Sequence, residues 1–189
     1  MIRAMIHSMV RPMIRGMIGG SDAVCRWFSN FNGTSSYAEM TDDIVLAGDF
    51  ECSVDIKTAN QTQDQAIFDS TTFGDIGGNA LIYIDNPDGF QILIPLSGGS
   101  GFTRAIFDSF NELTSGVNNT LVWGRASNII YAKLNGINLV NTGTTSSNQD
   151  VKLRFLGGGP FGRFLEGQPS NLQIWENGDS TTGTKIMNM

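Results

Sequence analysis

Few side chains in this sequence could carry out chemistry, and their spacing argues against most familiar catalytic arrangements. His7 is the only histidine. A Ser-His-Asp or Cys-His hydrolase needs an imidazole beside its nucleophile, and this one lies in the N-terminal segment, apart from the body of the chain. Cys25 and Cys52 are the only cysteines, too few for a disulfide framework, and neither C-x-x-C nor a His/Cys zinc spacing occurs. Cys52 alternates with Phe50, Val54 and Ile56, which predicts a buried thiol acting as a small apolar group. Glu51 and Asp55 sit four apart on that same alternating segment, so both belong to one face of a strand. With only five glutamates in the chain, no second pair of acids suggests itself. The expectation is a protein without catalytic residues, metal ligands or a cofactor.

The elements that hold these residues follow from composition and pattern. A chain of 189 residues fits one ordinary domain with a sizeable core. Charged residues are only 16% while glycines number 23, a balance that favours many short strands over helices. The formal net charge is −6, unevenly spread. Up to residue 26, Arg3, Arg11, Arg15 and Arg26 face a single Asp22; that segment carries +3 and leaves −9 for the rest. A body this acidic is not expected to bind nucleic acid, which is gripped by neutralising phosphates. No run of 18 apolar residues occurs, so no membrane span is expected. The arginines are spread evenly through the N-terminus, unlike those of a secretory signal.

That N-terminal segment repeats every four residues. Methionine falls at Met1, Met5, Met9, Met13 and Met17, and a β-branched residue follows each at Ile2, Ile6, Val10, Ile14 and Ile18. Arg3, His7, Arg11 and Arg15 come next, and the compact Ala4, Ser8, Pro12 and Gly16 close each unit. On an α-helix a step of four drifts by ~40° per repeat, and Pro12 would break the helix. On a strand the same step is two full side-chain periods with no drift. An extended arm is the reading that fits, and 18 residues at ~3.3 Å each would reach ~60 Å. Apolar on both faces, such an arm is expected to lie along a partner surface or pair with other copies of the chain. A disordered tail, or an amphipathic helix on a membrane surface, are the competing readings. Gly19, Gly20, Ser21 and Asp22 make a hinge, dividing the chain into an arm (1–22) and a body (23–189).

From Trp27 onward the apolar period is two. Phe50, Cys52, Val54 and Ile56 alternate with Glu51, Ser53, Asp55 and Lys57, the pattern of a half-buried antiparallel strand. Further strands are predicted over 66–70, 80–85, 90–95, 102–108, 120–125, 129–134, 151–156 and 172–176. Turn signals separate them: Asn32-Gly33, Asn86-Pro87-Asp88-Gly89, Asn135-Gly136, Gly157-Gly158-Gly159-Pro160 and Asn177-Gly178. Some ten short strands with no credible amphipathic helix mean a sandwich or barrel. The pentapeptide Ala-Ile-Phe-Asp-Ser at 66–70 and 105–109 does not extend and reads as coincidence between strands of similar environment.

Four segments, in order, resemble the laminin-G-like branch of the concanavalin A-like lectin/glucanase superfamily. Phe31-Asn32-Gly33 through Met40 looks like that family's opening hairpin. Gly48-Asp49-Phe50-Glu51-Cys52-Ser53-Val54 matches its next strand, and Ile130-Tyr131-Ala132-Lys133-Leu134-Asn135-Gly136 a later one. Leu156-Gly157-Gly158, Phe164-Leu165-Glu166-Gly167 and Leu172-Gln173-Ile174-Trp175 resemble its closing strands. The resemblance covers about residues 27–176 and implies an all-β fold, a two-sheet antiparallel jelly-roll sandwich.

The superfamily contains both binders and glycanases. Its laminarinase-like branch uses E-x-D-x-(x)-E for retaining chemistry. Here Glu51 and Asp55 lack the third acid and lie on an early strand, so glycanase activity is not expected. Some relatives hold calcium at the sandwich rim. Asp85-Asn86-Pro87-Asp88-Gly89 offers oxygens for it, but the same residues make a plain hairpin turn. Trp123 and Trp175 could stack on sugars, yet their strand positions favour core packing. The arm, the evenly spread arginines and the lone lectin-like sandwich lead to a tailed-phage virion structural protein. Its partners would be other virion proteins and copies of itself, in a homo-oligomer such as a trimer, with host-surface glycans as a further target. A free carbohydrate-binding lectin or adhesin is the alternative.

Overall fold

The computed structural model describes residues 31–34, 37–58, 64–69, 81–85, 89–95, 102–107, 116–141, 143, 148–158 and 164–188. The arm and its hinge, residues 1–22, lie outside them. Within the described residues the chain forms thirteen strands and no helix. In chain order they are β1 (Phe31–Asn32), β2 (Ala38–Leu46), β3 (Phe50–Thr58), β4 (Gln65–Asp69), β5 (Leu81–Asp85), β6 (Gly89–Pro95) and β7 (Phe102–Phe107). There follow β8 (Asn119–Ala126), β9 (Ile129–Leu134), β10 (Ile137–Asn138), β11 (Val151–Leu156), β12 (Glu166–Glu176) and β13 (Thr184–Asn188).

They assemble into two antiparallel sheets. One runs β1-β12-β3-β8-β9-β10, with β13 also on the far edge of β12, and the other runs β2-β11-β4-β5-β6-β7. Alternation decides what lies between the sheets. Phe50, Cys52, Val54 and Ile56 of β3, Leu121 and Trp123 of β8, and Leu172 and Ile174 of β12 point inward. They meet Leu46, Phe68, Ile82, Ile92, Phe107 and Leu153 from the second sheet in one cluster. Trp123 joins the layers: its ring lies edge-on to Phe50 at 5.5 Å and 6.3 Å from Phe68. Burial pushes the Cys52 thiol well above its ordinary pKa, as expected of a core cysteine. The fold is an all-β antiparallel sandwich of jelly-roll type.

Every strand predicted from the period is present, with three corrections. Phe31–Met40 is not a hairpin. β1 pairs with β12 while β2 pairs with β11, so the chain changes sheets just after Asn32-Gly33. The closing strand starts at Glu166, six residues before the predicted Leu172, and pairs with β3 on both sides of a bulge between Ser170 and Gln173, with Pro169 opposite Ile56. The two Ala-Ile-Phe-Asp-Ser segments also differ in environment. Ala105 lies in the main core, whereas Ala66 packs on the outer side of its sheet against Leu93.

Turn chemistry behaves as the residues demand. Asn135 and Gly136 take φ of 51° and 82°, joining β9 to β10 by the two-residue turn an Asn-Gly pair favours. Ser127 and Asn128 do the same between β8 and β9, at 51° and 68°, without a glycine. Asp49 Oδ1 supports that turn by accepting from the Ser127 amide at 2.9 Å.

Arg125 faces the core side of β8 and is 1% exposed. Its Nε donates to the Gly48 carbonyl at 2.5 Å, its Nη1 donates to the Gln149 carbonyl, and its guanidinium lies 5.2 Å over the Phe50 ring. One side chain thus ties the β2–β3 turn to the segment leading into β11, closing one end of the sandwich. Burial lowers its pKa, while Asp49 and Asp150 nearby favour the charge.

Candidate functional site

The outward face of the β12-β3-β8-β9 sheet gathers the polar and aromatic side chains that the core cannot use. Register sets them in rows. Lys185, Trp175, Glu51, Gly124 and Tyr131 lie opposite one another across β13, β12, β3, β8 and β9. The next row holds Gln173, Ser53, Val122 and Lys133. Beyond it come Ser170, Asp55 and Thr120, then Gln168 and Lys57.

The first row is closely fitted. Tyr131 passes over Gly124 so that its hydroxyl donates to Glu51 Oε2 at 2.9 Å. A Cβ on Gly124 would stand 2.8 Å from that hydroxyl and 2.3 Å from the Phe50 carbonyl oxygen, so the crossing requires glycine. The other carboxylate oxygen, Glu51 Oε1, accepts from the Ser180 amide at 3.0 Å. Glu51 is therefore only 4% exposed although it points away from the core. Burial, and then the bond to Glu51, push the Tyr131 hydroxyl's pKa upward, so it stays protonated as a donor.

Ser180 is presented by the β12–β13 loop, which Asp179 organises. Asp179 Oδ1 accepts from the amide and hydroxyl of Thr181, at 2.9 and 2.6 Å, and from those of Thr182, at 3.0 and 2.9 Å. These donors, those of Thr181 first, hold the carboxyl well below the usual carboxylate range.

A hydrogen-bonded track runs along the rest of the face. Lys185 Nζ donates to Gln173 Oε1 at 3.0 Å, Gln173 Nε2 to Asn171 Oδ1 at 2.6 Å, and Asn171 Nδ2 to Asp55 Oδ2 at 3.2 Å. Thr120 Oγ1 donates to Asp55 Oδ1 at 2.7 Å, and the Thr120 amide to Asn135 Oδ1 at 2.9 Å. Two side-chain amides and an acid are thereby held in fixed orientation on an exposed surface, each with hydrogen-bonding capacity to spare.

Trp175 is, with Tyr131, an aromatic of this face. Its partner across the sheet is outward-facing Glu51, and it belongs to the outer layer instead of the core where its strand position had placed it. It is 7% exposed because Lys185 lies over it, Nζ 4.9 Å from the ring centroid. The alternation Leu172, Ile174 already groups Trp175 with Gln173, a signal that its apolar character obscured. Trp123 is in the core as expected.

The acids do not form a hydrolytic pair. Glu51 and Asp55 share a face, but four residues of strand separate them by ~13 Å, beyond the ~5–9.5 Å that glycoside hydrolysis uses. Both oxygens of each also accept hydrogen bonds. Among the described residues no group of three or more His, Cys, Asp or Glu is placed to hold a metal. Asp85 and Gly89 pair across β5 and β6 as the ends of a hairpin, and the oxygen-bearing 86–88 between them lie outside the described residues. So does each arm residue from Met1 to Ile18.

No family model matches this chain, and no curated protein does. Solved structures do. Domains LG4-5 of the mouse laminin alpha1 chain superpose with a TM-score of 0.54 at 17% identity, over 83% of this chain and 44% of that one. This chain thus spans less than half of that fragment. Domain 4 of AbnA, a GH43 extracellular arabinanase from Geobacillus stearothermophilus solved with arabinotriose, gives 0.56 at 16% identity, over 84% and 76%. The heptameric SAP-like pentraxin from Limulus polyphemus gives 0.52 at 13%, over 77% and 74%. At such identities the likeness establishes the fold alone: a two-sheet β-sandwich of the kind these domains share.

Proposed function

We infer that this chain is a non-enzymatic glycan-binding module displayed on a tailed-phage virion, with the N-terminal arm as its anchor and the outward face of the β12-β3-β8-β9 sheet as its binding surface. The observation that carries the binding reading is the track from Lys185 through Gln173 and Asn171 to Asp55. Pre-oriented amides and an acid beside an aromatic ring are what a polyhydroxylated, weakly apolar ligand needs. Each lost donor or acceptor is already held in place, so binding costs little side-chain entropy. The arabinotriose-bound neighbour shows that this type of sandwich can serve a saccharide. The anchoring reading rests on the four-residue repeat, whose strand-compatible period and apolar faces suit docking along a partner or a second copy.

Two measurements test it. On a glycan array the full chain should retain saccharides, and the Asn171→Gly, Gln173→Ala double variant, with glycine at 171 because the backbone there has a φ of 52°, should lose them while staying folded. Silence of the wild-type chain across diverse bacterial and algal polysaccharides overturns the binding reading. Deleting residues 1–19 should leave a folded body with a smaller oligomer by light scattering. An unchanged oligomer removes the anchor and leaves a free lectin using the same face.

A further inference from the structure

Three of the chain's four lysines, Lys57, Lys133 and Lys185, stand on this one face of a body whose charge is otherwise strongly negative. Their surroundings differ from those of the acids beside them. Glu51 and Asp55 have both oxygens engaged by Tyr131, Ser180, Thr120 and Asn171. Among the described residues, none of the three lysines lies within ion-pairing distance of a carboxylate, whereas Arg154 on the opposite sheet pairs with both Glu39 and Asp43. The acids are built into the floor and the ammonium groups are left at its margins.

Two of those ammonium groups are positioned. Lys185 Nζ rests over the Trp175 ring and on Gln173 Oε1, and Lys133 Nζ lies 5.6 Å over the Tyr131 ring. Between Gln173, beside Lys185, and Lys133 the row contains only Ser53 and Val122. With strands ~4.8 Å apart, three steps make a strip ~14 Å wide, room for two or three sugar rings. Its floor is small and its two sides are cationic.

We propose that this strip of the sheet face takes an anionic oligosaccharide, its carboxylates or sulfates held by Lys133 and Lys185 at the two sides. The proposal rests on the glycan-binding reading of the same face and adds the charge class of the ligand. When a ligand anion draws the Lys185 ammonium aside, the Trp175 ring beneath it is uncovered for the apolar face of a sugar. The net negative body repels such a ligand at a distance. Within a Debye length of ~8 Å at physiological salt, Lys133 and Lys185 are the charged groups left to meet it, since Glu51 and Asp55 beside them each already accept two hydrogen bonds.

The experiment is calorimetric titration of the full chain with three probes: a galacturonate trimer, a sulfated galactose oligomer and a neutral glucose trimer. The anionic probes should bind tighter than the neutral one, and the stronger of the two identifies carboxylate or sulfate as the preferred group. Lys133→Gln and Lys185→Gln should each weaken the anionic probe by about fivefold, the scale of a single exposed charge pair. Neither should change the thermal midpoint appreciably, and Lys133→Gln, which lies outside the track from Lys185 to Asp55, should leave the affinity for the neutral probe unchanged. Binding of the anion should also quench Trp175 fluorescence, and not in Trp175→Phe. Equal affinity for neutral and anionic probes, or lysine variants that bind the anion normally, overturns this proposal and leaves the glycan-binding reading standing. Failure of all three probes counts against both.

Discussion

Tyr131 and Glu51 sit on strands separated by β8, yet the Tyr131 hydroxyl reaches across Gly124 to donate to Glu51 Oε2 at 2.9 Å. Tyr131→Phe leaves a buried carboxylate oxygen short of a donor, which should cost roughly 1–3 kcal/mol. Gly124→Ala should cost more, because its Cβ would meet the Phe50 carbonyl oxygen, a backbone atom that cannot give way. Urea unfolding of both variants checks the order. A neutral Tyr131→Phe would mean that Glu51 has found a donor elsewhere.

Arg125 should matter as much as any apolar core residue. Arg125→Met keeps the stacking bulk over Phe50 but strands the Gly48 and Gln149 carbonyls at the sandwich end. A loss of about 2–4 kcal/mol is expected, since two carbonyl oxygens lose charged donors at once. Arg125→Lys should recover only part of it, because one ammonium lacks the fork that spans both carbonyls. Thermal melts of the three proteins give the ranking.

Asp179 sets an acid limit on the β12–β13 loop. Its folded pKa lies below its unfolded value, so its contribution is present above the ordinary carboxylate range and is lost as pH falls through the folded pKa. The window therefore opens near pH ~4 and extends downward. Carbon-detected NMR should show the Asp179 carboxyl still ionised at pH ~3, where ordinary aspartates are mostly protonated. Asp179→Asn should flatten the decline of stability across that range. A normal titration curve for this carboxyl would contradict the loop geometry.

Cys52 should be silent in the native protein. Its thiol is fully buried and its pKa is pushed up by burial and then by Glu51, so the reactive thiolate is scarce at neutral pH. Alkylation followed by peptide mass spectrometry should find Cys52 unmodified in native buffer and labelled after denaturation. Labelling at the native rate of a free thiol would place it outside the core.

Much of this was legible in the residues themselves. The alternation Phe50, Cys52, Val54, Ile56 determined that strand, its buried thiol and its outward acids, because a pleated chain turns successive side chains to opposite faces. Asn135-Gly136 determined its turn, because few other pairs accept two positive φ angles. What a single strand cannot state is its neighbour. Phe31 and Ala38 looked like two halves of a hairpin, yet they belong to different sheets. Trp175 looked like core until its pairing with Glu51 put it on the outer layer under Lys185, a residue of a strand with no clean alternation to betray it. Arg125 carries a charge that sequence reasoning sends to the surface. Only the approach of Gly48 and Gln149 from other parts of the chain supplies the two carbonyls that let it be buried. Period is a local property and is written in the sequence. Register and partner are long-range, and the tertiary structure decided them, and with them which face of the sheet could serve a ligand.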